Sequence, residues 1–286
     1  MRFCNRTEML LRKISPAVFW LFVTVALSPG TLRAQSPADS PEGPQLHAKS
    51  KQEADDYRSA RAAGSGAALE QAARAFAAHY PKSELRELLF VRAMRQYQRE
   101  NNSAEMLAMG EMALTLNPND SLALVLTATA VADSLSPGDP NRERKLAEIK
   151  KNAGHAVAIL ETGSTANASA GGQAALYKET LLSMAFAALG MMRLKSGDYA
   201  QAEKDLKAAA DMTKIRPDAY VWYHLALAQD HRKRYPAALN SVEQALQLAS
   251  SNPDLQKMAE AEHDRLNRLT GRGKESPESG GAQPPR

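Results

Sequence analysis

The chain has 286 residues, of which 44% are hydrophobic, so it can form one extended domain or two compact ones. Its formal net charge of +4 comes from the first 34 residues, which hold five basic side chains and one acidic one. The rest of the chain has equal numbers of acidic and basic residues, which argues against a nucleic-acid-binding protein. Few aromatic residues and frequent Ala and Leu favour helices.

Residues 1–34 have the pattern of a signal peptide. Four basic residues precede an apolar stretch at 17–27, and Pro29 and Gly30 then lead to the small residue Ala34. We therefore expect cleavage after Ala34 and an exported protein, either periplasmic or secreted. The alternative is that this stretch stays as a membrane anchor, although it is shorter than the ~20 residues of a spanning helix.

The single cysteine, Cys4, lies in this N-terminal segment. It precedes the apolar stretch, whereas a lipoprotein signal has its cysteine after that stretch. After cleavage the chain would hold no disulfide, no thiolate nucleophile and no cysteine-based metal site.

Two polar segments flank a long region that the sequence predicts to be helical. Residues 35–44 are rich in Pro, Ser and acidic residues and predict a flexible linker. Residues 271–286 predict a disordered tail for the same reason. Within the helical region, 45–270, the stretch 69–80 predicts an unpaired helix and 162–172 a Gly-, Ser- and Ala-rich loop.

Residues 183–216 and 219–252 repeat one pattern of large and small side chains at an offset of about 36 residues, close to known helical-repeat periods. The matched pairs are Phe186 and Trp222, Leu189 and Leu225, Gly190 and Ala226, Tyr199 and Tyr235, Ala202 and Ala238, Leu206 and Val242, and Ala209 and Ala245. This pattern resembles the tetratricopeptide repeat (TPR) family. Residues 87–118 and 119–161 fit the pattern less well, and the insert 136–140 interrupts the second of them.

The resemblance implies an all-α fold, a right-handed superhelical TPR-type solenoid of antiparallel helix pairs. Small residues such as Gly190 and Ala202 would let the two helices of a pair approach closely, and units would have to stack to bury their faces. Residues 253–270, which start with Pro-Asp and turn polar, predict a capping helix. The helix end Tyr80-Pro81 with Ser83 resembles those of exported bacterial envelope TPR proteins.

The sequence contains no motif of nucleotide binding, metalloprotease or hydrolase chemistry. His224 and His231 are seven residues apart, which places them on a similar helix face. A metal or acid–base pair is one interpretation, and one packed histidine with one histidine facing the groove is the favoured one, since no third ligand has suitable spacing. We predict a non-enzymatic protein with no catalytic residue, cofactor or metal.

The family resemblance also implies where a protein or peptide partner would bind, on the concave face lined by the first helix of each unit. The residues expected on this groove are Arg95, Arg99, Lys195, Tyr220, Tyr223, Leu227, Asp230 and His231. The Lys and Asn residues with which some TPR domains hold a terminal carboxylate are replaced by Ala187 and Met191, or by Tyr223 and Leu227. We expect a scaffold or adaptor of unknown partner. The alternative is an accessory structural component of a bacterial envelope assembly or secretion complex.

Overall fold

A computed structural model describes residues 48–162, 171–212 and 217–271. These ranges contain eleven α-helices and no strand. The predicted signal peptide, the linker and all of the predicted tail except Gly271 lie outside them. The helices are α1 (Lys51–Arg61), α2 (Gly66–His79), α3 (Leu85–Arg99), α4 (Ser103–Leu116), α5 (Ser121–Ser134), α6 (Arg142–Thr162), α7 (Gly171–Ser196), α8 (Tyr199–Met212), α9 (Ala219–His231), α10 (Tyr235–Leu248) and α11 (Pro253–Thr270).

Short polar side chains start many of these helices. Asp120 Oδ1 accepts a hydrogen bond from the backbone N–H of Ala123 at 2.6 Å, and Asn252 Oδ1 accepts one from Leu255 at 3.1 Å. Such caps satisfy backbone donors that a helix leaves unpaired at its N-terminus. Pro253 occupies the first position of α11, where its missing N–H costs nothing.

The predicted all-α fold of antiparallel TPR-type helix pairs is confirmed. The helices α3 and α4 occupy the unit predicted at 87–118, α5 and α6 the unit at 119–161, and α9 and α10 the unit at 219–252. The helices of each of these pairs pack against each other. The capping helix α11 has the predicted bounds, 253–270.

Two helices differ from the prediction. The sequence predicts an unpaired helix at 69–80. This stretch lies mostly in α2, and α1 precedes it and packs against it. Helix α7 begins at Gly171, not at 183, because the added residues include the helix formers Ala174, Ala175 and Leu176.

The described residues form two compact units, which divide between Leu189 and Gly190: unit 1 holds the described residues up to 189, and unit 2 those from 190 onward. In unit 1 the core holds Leu69, Phe90 and Met94, and Phe76 contacts the rings of Tyr57 and Tyr80 at centroid distances of 6.0 and 4.8 Å. In unit 2 one apolar cluster joins α8 to α11. Its fully buried members include Leu206, Leu239, Leu255 and Leu266.

Gly190 marks the closest approach of α7 to α8. A Cβ at this position would lie 2.5 Å from Leu206 Cγ and 3.2 Å from the backbone N of Leu206. Leu206 is fully buried and cannot move aside. The lack of a side chain at Gly190 is therefore what lets the two helices pack at this distance.

We expect Gly190→Ala to lower the free energy of unfolding. Overpacking a buried contact costs about 1–3 kcal/mol. The better helix propensity of Ala offsets up to ~1 kcal/mol of that cost. Urea unfolding followed by circular dichroism measures the difference.

Gly154→Ala is the matched control, because Gly154 lies within α6 and a Cβ there would meet nothing within 4 Å. This variant should gain up to ~1 kcal/mol from helix propensity alone. Equal effects of the two substitutions would contradict the packing role of Gly190.

Candidate functional site

The eight residues predicted to line a groove are divided between the two units. Arg95 and Arg99 lie on α3 in unit 1, and Lys195 lies near the end of α7 in unit 2. The other predicted residues lie on α9 in unit 2: Tyr220, Tyr223, Leu227, Asp230 and His231. The two groups therefore form separate surfaces, which we describe one at a time.

Helix α11 packs over part of α9 and removes three predicted residues from an open groove. Tyr223 is 8% exposed and Leu227 is 7% exposed, in the same apolar cluster as Leu255 of α11. Asp230 Oδ2 lies 2.5 Å from Arg265 Nη2 of α11. Tyr223, Leu227 and Asp230 thus contact the capping helix, because α11 packs on this side of α9.

Three predicted residues of unit 2 keep part of their surface. The hydroxyl of Tyr220, which is half-buried, accepts a hydrogen bond from Asn252 Nδ2 at 2.9 Å. His231 is exposed and stacks on Tyr199, with ring centroids 4.1 Å apart and planes 2° apart. Lys195 is half-buried. Tyr220 and His231 lie at the two ends of α9, and Lys195 lies on α7.

His224 is a packed core histidine. Burial, and then the nearby charge of Lys195, lower the pKa of His224 to about 4, so the ring is neutral at pH 7. Among the described residues, no group of three or more His, Cys, Asp or Glu side chains is arranged to hold a metal ion. His224 and His231 differ in environment, since His224 is buried whereas His231 is exposed and stacks on Tyr199.

A buried polar network that the sequence analysis missed fixes the turn between α9 and α10. Glu203 of α8 is 5% exposed and forms ion pairs with both Arg232 and Arg234. Gln229 Nε2 lies 3.5 Å from Glu203 Oε1, and Ser241 Oγ donates to Gln229 Oε1 at 2.8 Å. Arg232 and Arg234 therefore form ion pairs within the fold. Glu203 is about 30 residues earlier in sequence, so only the packing of the helices places the three side chains together.

Unit 1 carries a different set of arginines, on α1 and α3. Arg92, Arg95 and Arg99 are spaced by three and four residues, which places them on one face of α3. Arg61 is the last residue of α1. We call these four residues, Arg61, Arg92, Arg95 and Arg99, the arginine surface.

The arginine surface carries more positive than negative charge, although Glu100 lies close enough to Arg99 to interact with it electrostatically. Within residues 48–162, 171–212 and 217–271, none of its four members forms an ion pair with a carboxylate. Desolvation, and then repulsion from the other three arginines, lower the pKa of Arg92. The Nε–H of Arg92 is buried and has no hydrogen-bond acceptor in this part of the chain.

Tyr177 extends the surface from α3 to α7. Its side chain is 46% exposed, which is unusual for a large aromatic residue in this fold. Unit 1 crowds its hydroxyl, which raises the pKa of the phenol. Arg95 lowers that pKa again and Asp120 raises it. Tyr177 therefore lies near both Arg95 and the N-cap of α5.

Glu87 provides no negative charge to this region at neutral pH. Its side chain is buried, and burial, the charge of Asp120 and a hydrogen bond to Asp120 raise the pKa of Glu87 to about 8. Its Oε1 has no partner among the described residues. The protonated carboxyl of Glu87 can donate to Asp120, whereas two carboxylates would repel each other.

A cleft lies next to the end of α3 in unit 1. Its volume is about 140 Å³, and its walls are the turn at 101–104, the end of α5 and Met184 of α7. Sites for drug-sized molecules usually have ~300 Å³ or more. This cleft is therefore better suited to one side chain of a larger partner.

Comparisons with known proteins show a similar architecture at low sequence identity. No family model matches the chain, and no curated protein matches its sequence. The structure is similar to TTC0263, a thermophilic TPR protein of Thermus thermophilus, with 16% identity, 73% of this chain and 98% of that chain covered, and a TM-score of 0.42. It is also similar to the MamA RS-1 ArsTM double mutant, with 17% identity, coverage of 66% and 97%, and a TM-score of 0.38. Both TM-scores are below 0.5, so the fold description rests on the helices of this chain.

We expect Glu87→Gln to change the pH dependence of stability. A carboxyl whose pKa rises from 4.5 to about 8 on folding stabilises the fold fully below pH 4.5, and this stabilisation is lost as pH rises to about 8. The glutamine amide stays neutral at every pH and can still donate to Asp120. Thermal or urea unfolding at pH 5 and at pH 8.5 should show a flatter profile for the variant, with a gain of at least about 1 kcal/mol over the parent at the higher pH.

Glu111→Gln is the control, since Glu111 is exposed on α4. It should leave the slope of stability against pH unchanged. If Glu87→Gln and Glu111→Gln gave the same profile, the assignment of a neutral, buried Glu87 would be wrong.

Proposed function

We propose that this protein is a non-enzymatic, exported interaction scaffold that binds a protein partner on the first-helix surface of unit 1. The supporting observation is the contrast between two sets of side chains. On α9 the predicted binding residues Tyr223 and Leu227 are covered by α11 and only the end of the helix, at His231, is exposed, whereas on α3 Arg95 is half-buried and Arg99 is exposed.

The composition of this surface suits protein recognition. Arginine and tyrosine are among the residue types that most often dominate the energy of protein interfaces. Both offer a flat group and a hydrogen-bond donor. Tyr177 places a half-exposed ring near Arg95. The fold holds these groups on helices, so a partner would order few side chains on binding.

The proposal of export rests on the sequence of residues 1–34, with cleavage after Ala34. A mature chain without cysteine would depend on packing alone in an oxidising compartment. We therefore place the protein in a bacterial envelope, in the periplasm or outside the cell. The partner would be an envelope or secreted protein.

A photo-crosslinking amino acid at Tyr177 tests this function in the native host. We expect it to capture a defined partner in the envelope fraction, because Tyr177 lies on the proposed surface and is half-exposed. The same probe at Glu111, an exposed position on the second helix of its pair, is the control. Mass spectrometry identifies the products, and the purified partner should crosslink again in a two-component mixture.

Capture of the same proteins at Tyr177 and at Glu111 would show non-specific proximity and would contradict the proposal. So would a probe at Tyr177 that forms no product in the host while the protein is folded and exported.

A further inference from the structure

The arginine surface has four positive charges, and the described fold offsets this charge only in part, through Glu100, which lies close enough to Arg99 to interact with it electrostatically. Elsewhere in unit 1, exposed arginines such as Arg58 and Arg74 pair with Asp55 and Glu70 at 2.6 and 2.8 Å. The four members of the arginine surface lack such partners among the described residues. Repulsion among like charges is a standing cost that an anionic ligand would remove.

Arg92 adds a specific unmet requirement. Its Nε–H is buried without an acceptor in the described part of the chain, and a buried donor left unpaired costs about 1–3 kcal/mol. A carboxylate is well matched to a guanidinium group, because its two oxygens accept two parallel N–H bonds. An acidic side chain beside these arginines would reduce the repulsion that Arg92 shares with Arg61, Arg95 and Arg99.

The spacing of the arginines indicates the shape of the ligand. Arg95 and Arg99 are four positions apart, which corresponds to a rise of ~6 Å along α3. In an extended peptide, side chains at alternate positions point the same way and are ~6.6 Å apart. Two acidic residues separated by one other residue in an extended segment would thus match Arg95 and Arg99.

Nearby groups favour a protein segment over a nucleic acid. Asp120 lies close enough to Tyr177 to act on its hydroxyl, so the positive charge ends at this edge of the surface. A short acidic motif can stay on the side of Arg95 and Arg99, whereas a continuous polyanion would extend over Asp120. The chain beyond residue 34 has no overall basic excess. A short acidic motif can meet Arg95 and Arg99 while an apolar or aromatic neighbour packs on Tyr177.

We infer that the arginine surface binds an extended acidic protein segment, whose alternate Glu or Asp side chains pair with Arg95 and Arg99. This inference rests on the proposed function, since it specifies the chemistry of the partner at that surface. The partner would thus be recognised by a local cluster of positive charge, although the chain beyond residue 34 has equal numbers of acidic and basic residues.

The test uses the full-length protein and a fluorescein-labelled peptide of alternating Glu and Thr with an amidated C-terminus. The amide ensures that only side-chain carboxylates are offered. A matched peptide of alternating Gln and Thr is the ligand control. Fluorescence anisotropy should show about tenfold tighter binding of the Glu peptide, as one charge-assisted pair would give, and this difference should shrink as ionic strength rises.

The protein variants separate the arginine surface from general charge. Arg95→Gln/Arg99→Gln should weaken binding of the Glu peptide about tenfold. Arg144→Gln/Lys151→Gln removes the same charge from exposed positions on α6 and should leave affinity nearly unchanged. Arg95→Glu/Arg99→Glu should instead prefer a peptide of alternating Lys and Thr, which shows that the altered surface is still folded.

Three results would overturn the inference. They are equal binding of the Glu and Gln peptides, equal losses in the two double-neutral variants, and a short single-stranded oligonucleotide that binds more tightly than the Glu peptide. If the Tyr177 probe captures a partner but these peptide results fail, the inference is wrong and the proposed function stands. Loss of the Tyr177 crosslink with intact peptide binding would contradict the function instead.

Discussion

Close approach of paired helices is the constraint on which the rest of this structure depends. Each helix can bury only one side against its neighbour, and small residues at the crossing points determine how much apolar area is removed from water. Ala93, Ala113, Ala202 and Ala226 are fully buried, and Gly190 lies against Leu206 where any Cβ would collide. These contacts use the sides of the helices that face each other. The opposite side of each first helix is then either covered by another helix or exposed to solvent.

The helices α3 and α9 each contact the next first helix, and the two contacts leave different side chains exposed. In unit 2, α11 packs on α9 and places Arg265 against Asp230, so a surface that resembles a binding groove in sequence becomes part of the core. In unit 1, α3 presents arginines that pair with no carboxylate in the described ranges. Arginine therefore has two roles in one chain. It neutralises buried carboxylates such as Glu203 in unit 2, and in unit 1 it leaves positive charge available for a partner.

The sequence predicts the helical units well because their signals are local. Small and large residues repeat at a fixed offset, Asp120 and Asn252 start helices by short-range hydrogen bonds, and Pro253 marks the first turn of α11. Helix α1 is harder to recognise, since it buries only Glu53 fully and has no continuous apolar face. The signal peptide and the disordered tail stay predictions, because they lie outside the described residues.

The proposed binding surface could be predicted only in part, because burial and charge clustering are non-local. Leu227 has the periodicity of an outward-facing residue on α9, and only the position of α11 shows that it is covered. The sequence predicts Arg95 and Arg99 on the groove from their positions in the helix. Their grouping with Arg61 depends on α1, which is more than 30 residues away in sequence. A net charge summed over the chain conceals such a cluster.

Thiol labelling of single cysteines measures the contrast between the open and the covered first helix most directly. The chain has one natural cysteine, so Cys4→Ser gives a cysteine-free background for Arg99→Cys and Leu227→Cys. Our account predicts that the thiol introduced at position 99 reacts in the native protein at nearly the rate of the urea-unfolded chain. The thiol introduced at position 227 should be strongly protected under the same conditions. Similar native rates at the two positions would contradict the account, because α11 would then not cover Leu227.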